Sequence, residues 1–431
     1  MSIGLGEELL GRAARYIDEG LYEGRAAVSP IDGRLAVLDD GVALIAAFSH
    51  VLAFEGQDGL TLVDTSSATM ARTVQSSLRE WSDAPIETMV YTHGHVDHVG
   101  GAGLFQNEAQ DAGRPPARVV AHQGVVDRFH RYDMTNGYNA RINARQFGNR
   151  RQLGMAEGWP RDWVWPDTTF GDRMSLHIAG HAAELRHAKG ETDDHAWVWI
   201  PDRKIICGGD FLTWVFPNAG NPQKVQRYPL EWAEALRDMA AVGPALFLPA
   251  HGLPIAGEER IASVLDDMAS ALETLVHQTL ELMNNGATLD EVVRTVTLPV
   301  GLAERPFLRA TYDEPEFVVR NIWRMYGGWW DGDPSHLKPA PAGELAAELA
   351  AMAGGADRLA ARAIELAHEG RHRLASHLAE LAAQADPDDA AVHAQRAEVY
   401  RSRREGELSL MARGIFGEAA SRPLMAANRV Q

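Results

Sequence analysis

The chain has 431 residues, 45% hydrophobic and 23% charged, a globular balance in a chain too long for one ordinary core. Its 59 acidic side chains against 41 basic ones give a net charge of -18, which argues against nucleic acid or an anionic membrane surface as the main partner. An anionic small substrate is not excluded, because bound metal ions outweigh a diffuse negative surface locally. With one cysteine, Cys207, the chain has no intramolecular disulfide and no cysteine-based zinc site, and Cys207 reads as core filling in an apolar run.

In chain order, "MSIGLGEELLGRAARYIDEG" has helical period and lacks the basic start, apolar stretch and cleavage site of an export signal. No segment is apolar over the length a spanning helix needs, so a cytoplasmic location is expected. "GVALIAAFSHVLAFEG" and "LTLVDTS" read as adjacent strands around the turn "QDG". The amphipathic helix "ATMARTVQSSLREWS" follows, then the strand "IETMVYTH", ending at His93, and the strand "ARVVAHQ". "HAWVWIPDRKIICGGD" reads as two strands around Pro-Asp, and "ALFLPAHG" as another strand. Strands mixed with helices over some 250 residues predict an α/β layered domain.

Beyond His251 the texture turns helical. "RIASVLDDMASALETLVHQTLELMNNG" is a long amphipathic helix ending at Asn-Gly, and the Ala-rich stretch after Arg358 breaks into three helices at "HEGR" and "DPDD", like a TPR-type hairpin repeat. A boundary near residue 260 is expected, giving domains of residues 1–260 and 261–431.

The densest chemistry lies in "YTHGHVDHVGG", residues 91–101. In an extended segment His93 and His95 point the same way, and after a tight turn Asp97 and His98 face a second position. These are ordinary nitrogen and oxygen donors for zinc or iron. Four donors do not close two metal shells, and three more stand in glycine-flanked loops at expected strand ends: Glu191 in "KGETDDH", Asp210 in "CGGDF" and His251 in "PAHG".

The pattern HGHVDH with the later Gly-Asp and Ala-His-Gly resembles the metallo-β-lactamase fold, an αββα sandwich with a dinuclear site at one edge. The resemblance implies that His93, His95 and Glu191 hold one metal, that Asp97, His98 and His251 hold the other, and that Asp210 bridges. Glutamate at 191, nineteen residues before Asp210, resembles the linear alkylsulfatase branch. "YGGWWDGDPSHLKPAPAGELAAELAAMAGG" is similar to the dimerisation domain of those enzymes, which implies a homodimer through the helical half. The sterol-carrier-like third domain of longer members is not expected in this chain.

The resemblance implies a hydrolase of a sulfate ester or related small ester, acting through a hydroxide between two divalent ions, zinc by expectation and iron or manganese as alternatives. Such a reaction calls for an anion clamp. The candidates are Arg145, Arg150, Arg151, Arg320 and Tyr312, and for each arginine the competing assignment is a surface ion pair. Asp97 and His195 are the candidate catalytic side chains, His195 as a proton shuttle four residues after Glu191 or as a partner behind the ligands. Trp323, Tyr326, Trp329 and Trp330 are candidates for an alkyl channel, with core or interface packing as the competing assignment. His122, His130, His177, His181 and His187 have no comparable spacing. Where alkylsulfatases carry a His-Asn pair after the bridging acid, this chain has Pro217-Asn218, and a proline moves no proton. The alternative reading is a di-iron oxygen-activating oxidoreductase on the same fold, since Glu191 and Asp210 make the donor set harder than a three-histidine site. A helical scaffold with a dead site is disfavoured by seven competent donors.

Overall fold

The computed structural model describes residues 3–147 and 159–427, so Arg150 and Arg151 lie outside the described residues. Seven strands form one sheet in chain order: β1 (Leu35–Asp39), β2 (Val42–Ile45), β3 (Val51–Glu55), β4 (Leu60–Val63), β5 (Ile86–Val90), β6 (Arg118–His122) and β7 (Thr168–Phe170). The first four are antiparallel neighbours, and β4 to β7 run parallel. Six strands form the second sheet: β8 (Arg173–Ile178), β9 (His181–His187), β10 (Ala196–Ile200), β11 (Ile205–Gly209), β12 (Leu246–Pro249) and β13 (Ile255–Ala256), again side by side in chain order. Within it only β11 and β12 are parallel.

Period-two alternation builds the sandwich. Val42, Leu44, Leu52 and Phe54 point inward to meet Leu185, Val198, Ile205, Cys207 and Leu248 of the facing sheet. Their neighbours Ile45, Val51 and Ala53 point outward to the helix Ala71–Trp81, whose Val74 and Leu78 are buried, and to Phe105 and Phe129. The apolar run expected as one strand from Gly41 is two, β2 and β3, paired antiparallel with Ile45 opposite Val51. The turn between them is closed by His50, whose Nδ1 accepts the Ala47 N–H at 3.2 Å. The Pro-Asp turn falls where expected, a short 3-10 segment at Pro201–Arg203 that puts Val198 opposite Cys207.

The chain divides into two compact units. Among the described residues the first comprises 3–139, 159–287 and 291–326, and the second 140–147, 288–290 and 327–427. The break expected near residue 260 therefore falls inside the first unit, at the start of the helix Glu258–Asn284. That helix buries Val264, Met268, Leu272 and Leu275, and its Asp266 and Glu273 bind Arg237 of the helix Pro229–Ala241. A rise in helical periodicity marked a change of layer, not of domain. In the second unit the helices Ala356–His368, His372–Ala385 and Ala390–Glu405 are the three expected, with the breaks where expected. They pack through small faces: Ala363, Ala375 and Ala379 are fully buried. Among the described residues, no helix is long and apolar enough to cross a membrane.

Candidate metal centre

Every predicted donor sits just past a strand or at the head of a short helix. β5 ends at Val90, Tyr91–Thr92 carry the backbone onward to His93, and His95 caps the turn Val96–Val99 that carries Asp97 and His98. Asp210 follows β11, His251 follows β12, and Glu191 lies in the loop before β10. The loops after β5, β11 and β12 meet at one edge of the sandwich, where their side chains approach within 4 Å.

The side-chain distances are short throughout. His93 Nε2 and His95 Nδ1 are 2.8 Å apart, and Glu191 Oε1 lies 3.7 Å from His95 Nδ1. His98 Nε2 and His251 Nε2 each lie 3.4 Å from Asp210 Oδ1, and His251 Nε2 is also 3.4 Å from Asp97 Oδ2. Asp210 Oδ2 is 3.9 Å from His93 Nε2. Three overlapping groups result, in each of which one ligand atom per residue lies within 4.8 Å of the others: His93, His98 and Asp210; Asp97, His98 and His251; His95, Glu191 and Asp210. All seven sequence-nominated donors are thus brought together.

The residues fit divalent ions. His98 Nε2 and Asp210 Oδ1 are buried, face each other, and have no hydrogen-bond partner, a costly state for protein polar atoms without something between them. The field agrees. Burial opposes charge at His98 and His251, yet Asp210 and its neighbouring carboxylates hold both histidines above the usual imidazole range. Burial likewise opposes charge at Asp210, and His251 and His98 outweigh it and hold the carboxyl well below its usual range. A cation satisfies the same field. Glu191 is pushed up to about 8 by burial, with Arg227 opposing.

Residues not singled out from sequence hold the donors in place. Asp64, after β4, has a φ of 60°, a left-handed backbone that non-glycine residues seldom adopt. Its carboxylate accepts the Thr92 N–H and hydroxyl at 2.8 Å each and the His98 Nδ1–H at 2.7 Å. That bond fixes the His98 tautomer and leaves the Nε2 lone pair facing Asp210. Asp194 accepts the Gly94 N–H at 3.0 Å and is gripped by Arg128 at 2.7 and 2.6 Å, anchoring the loop between His93 and His95. Gly94 leaves no room for a side chain, since a Cβ there meets Arg128 at 2.8 Å. The only local signal for these supports was an acid at a strand end, which many chains carry.

Several predicted roles change. His195 is fully buried, and its Nε2 accepts the Asp210 N–H at 3.1 Å while its ring stacks on Phe211. Burial pushes its pKa down to about 3, and the bond to the Asp210 N–H places it behind that residue. Arg320 is exposed and pairs with Glu316 one helical turn away, and Arg145 pairs with Glu418 within the second unit, so both are ion-paired arginines. Tyr312 is part-buried, lies under the Arg25 guanidinium at 5.2 Å, and has its pKa raised by burial and then by Glu191. Trp323 is core, whereas Tyr326, Trp329 and Trp330 are exposed. Asn218, which follows Pro217, donates its Nδ2–H to Glu191 Oε1.

A two-sheet sandwich flanked by helices, with clustered histidine and carboxylate donors at one edge, defines a metallo-β-lactamase-type protein. Residues 45–251 match the metallo-beta-lactamase superfamily, and residues 288–423 match the alkyl sulfatase dimerisation family. A linear primary-alkylsulfatase of Pseudomonas sp. is 30% identical over 363 residues, covering 80% of this chain and 69% of that protein. An (R)-specific secondary-alkylsulfatase of Pseudomonas sp. is 26% identical over 364 residues, covering 79% of this chain and 54% of its own length. The solved structure of a stereoselective inverting sec-alkylsulfatase from Pseudomonas sp. superimposes with a TM-score of 0.78 at 22% identity, over 91% of this chain and 66% of that one. The chain belongs to the alkylsulfatase family of the metallo-beta-lactamase superfamily.

Proposed function

We propose that the chain is a dinuclear metal-dependent hydrolase of sulfate esters or related small anionic esters. His93, His95 and Glu191 would hold one ion, Asp97, His98 and His251 the other, with Asp210 between them. The observation that carries this reading is the convergence of seven donors with His98 Nε2 and Asp210 Oδ1 buried and unpartnered. The names of the relatives, alkylsulfatases, support the substrate class. Divalent ions bound there, zinc first and iron or manganese next, supply an acidified water and offset charge on an anionic ester.

The protein's own groups divide the remaining work. Asp64 and His195 hold His98 and Asp210 in register. The Arg25 guanidinium, which has no ion-pair partner among the described residues, and the Tyr312 ring beneath it offer the anion contacts that Arg320 and Arg145 do not. Neither Pro217 nor His195 moves a proton to the leaving group. The reaction is therefore expected to favour esters whose leaving group departs without an acid. The family's dimerisation match supports a homodimer through the helical unit.

The test is release of inorganic sulfate from dodecyl sulfate and from an aryl sulfate, before and after chelator treatment and metal return. Metal-dependent sulfate release, faster for the aryl ester, supports the reading. Metal binding with no sulfate release, and oxygen uptake with a reductant, would favour the di-iron alternative that the three carboxylates Asp97, Glu191 and Asp210 also suit.

A further inference from the structure

Among the described residues, Glu191 is the one of the seven donors that forms an ion pair with an arginine. Arg227 is 2% exposed; its Nη1 lies 3.1 Å from Glu191 Oε1 and also donates to the Glu191 backbone carbonyl. Asn218 Nδ2 donates to the same Oε1. Among the described residues Arg227 makes no second ion pair, although its charge also acts on buried Asp313, and its Nε is buried without a partner. One side chain ties the two segments: Asn321 Nδ2 donates to the carbonyl of Ala219, next to Asn218, at 2.8 Å and to Arg227 O at 3.0 Å. The Asn218 loop is further fixed by Asp313, which accepts the Gly220 N–H at 2.6 Å. Glu191 is the carboxylate at ion-pair distance from this buried arginine, and leaving a buried guanidinium without its paired carboxylate is costly.

We propose that Arg227 is a positioning residue that offsets the charge of Glu191, so that this carboxylate enters the metal centre as an electrically neutral donor whose Oε1 is fixed jointly with Asn218. The inference rests on Glu191 being a metal ligand. It follows that a neutral ligand in place of Glu191 is incompatible with Arg227 itself: the guanidinium would be left as an uncompensated buried cation beside the ions.

The experiment is zinc competition against a chromophoric chelator, with folding checked by circular dichroism. It compares the parent, Glu191→His, Arg227→Met and the double variant, with Glu191→Gln and its Arg227→Met double as a second series in case the histidine variant does not fold. Glu191→His is expected to lose on the order of 100-fold in zinc affinity, and adding Arg227→Met is expected to restore about tenfold or more of it. Adding Arg227→Lys instead keeps the charge and is expected to restore nothing. If Glu191→His and Glu191→Gln are weakened and Arg227→Met rescues neither, the inference is overturned and Arg227 serves another partner. If both Glu191 variants bind zinc like the parent, Glu191 is no ligand; the underlying assignment fails and the inference with it.

Discussion

The metal edge of the first unit and the helix stack of the second use charged residues in opposite ways. At the metal edge Asp64, Asp194, Asp210, His98 and Arg128 are all buried and interlocked, and the surrounding apolar core pays for them. In the helix stack, pairs such as Arg362–Glu365 lie on the surface, Arg396 beside Glu380 is buried, and alanine dominates an interior completed by residues such as Leu366 and Val399. The difference teaches where each region is fragile. The first is fragile to loss of a polar partner, the second to a change of side-chain volume.

The comparison breaks most sharply at Asp210. Asp210→Ala removes a donor shared by two of the three groups. Metal content by elemental analysis should fall to one ion or fewer per chain, and hydrolysis should drop more than about 100-fold, beyond the 10–100-fold typical of a supporting residue. Asp64→Ala leaves all seven donors but removes the carboxylate that holds His98 Nδ1 and Thr92, leaving His98 Nδ1 only the Ser49 hydroxyl. Zinc affinity should weaken within that roughly 10–100-fold range, read by chelator competition.

In the helix stack the matching challenge is steric. Ala363→Leu overfills a fully buried position and should lower stability by about 1–3 kcal/mol in denaturant melts, with metal content unchanged. A smaller effect separates charge from volume within the first unit. His122 stacks on His187 at 3.8 Å and accepts the Gly124 N–H; burial, then His187, pushes its pKa down to about 4 from 6.5. The folded state therefore binds fewer protons than the unfolded one between those values. The stability His122 contributes is complete above about pH 6.5 and is lost as pH falls toward 4. His122→Asn keeps an acceptor without titrating, so its thermal midpoint should fall less steeply with pH over that window. The smallest effect is expected from Arg320→Ala, which breaks an exposed pair and should change stability by less than about 0.5 kcal/mol and leave KM unaltered.

What was legible in the sequence was local. The spacing of His93, His95, Asp97 and His98 is imposed by one turn, and Glu191, Asp210 and His251 announce themselves as donors beside glycine at strand ends. The alternation in β10 and β11 and the helix breaks at "HEGR" and "DPDD" are likewise short-range. What was not legible depends on partners far along the chain. Arg320 and Arg145 look like Arg227 in sequence, and only the fold shows which carboxylate each meets: Glu316, Glu418 or Glu191. Asp64 is an ordinary strand-end acid until Thr92 and His98 arrive beside it. The place of residue 260 is a similar case, because the helix Glu258–Asn284 is tied by Arg237 to the helix Pro229–Ala241 before it.

The central claim is that seven donors at one sheet edge hold two divalent ions. It is tested most directly by elemental analysis of protein purified without added metal and then titrated with zinc under native mass spectrometry. The account predicts saturation at about two ions per chain, falling when His98→Ala or His95→Ala is introduced. Saturation at one ion or none, or two ions retained in both variants, would contradict it.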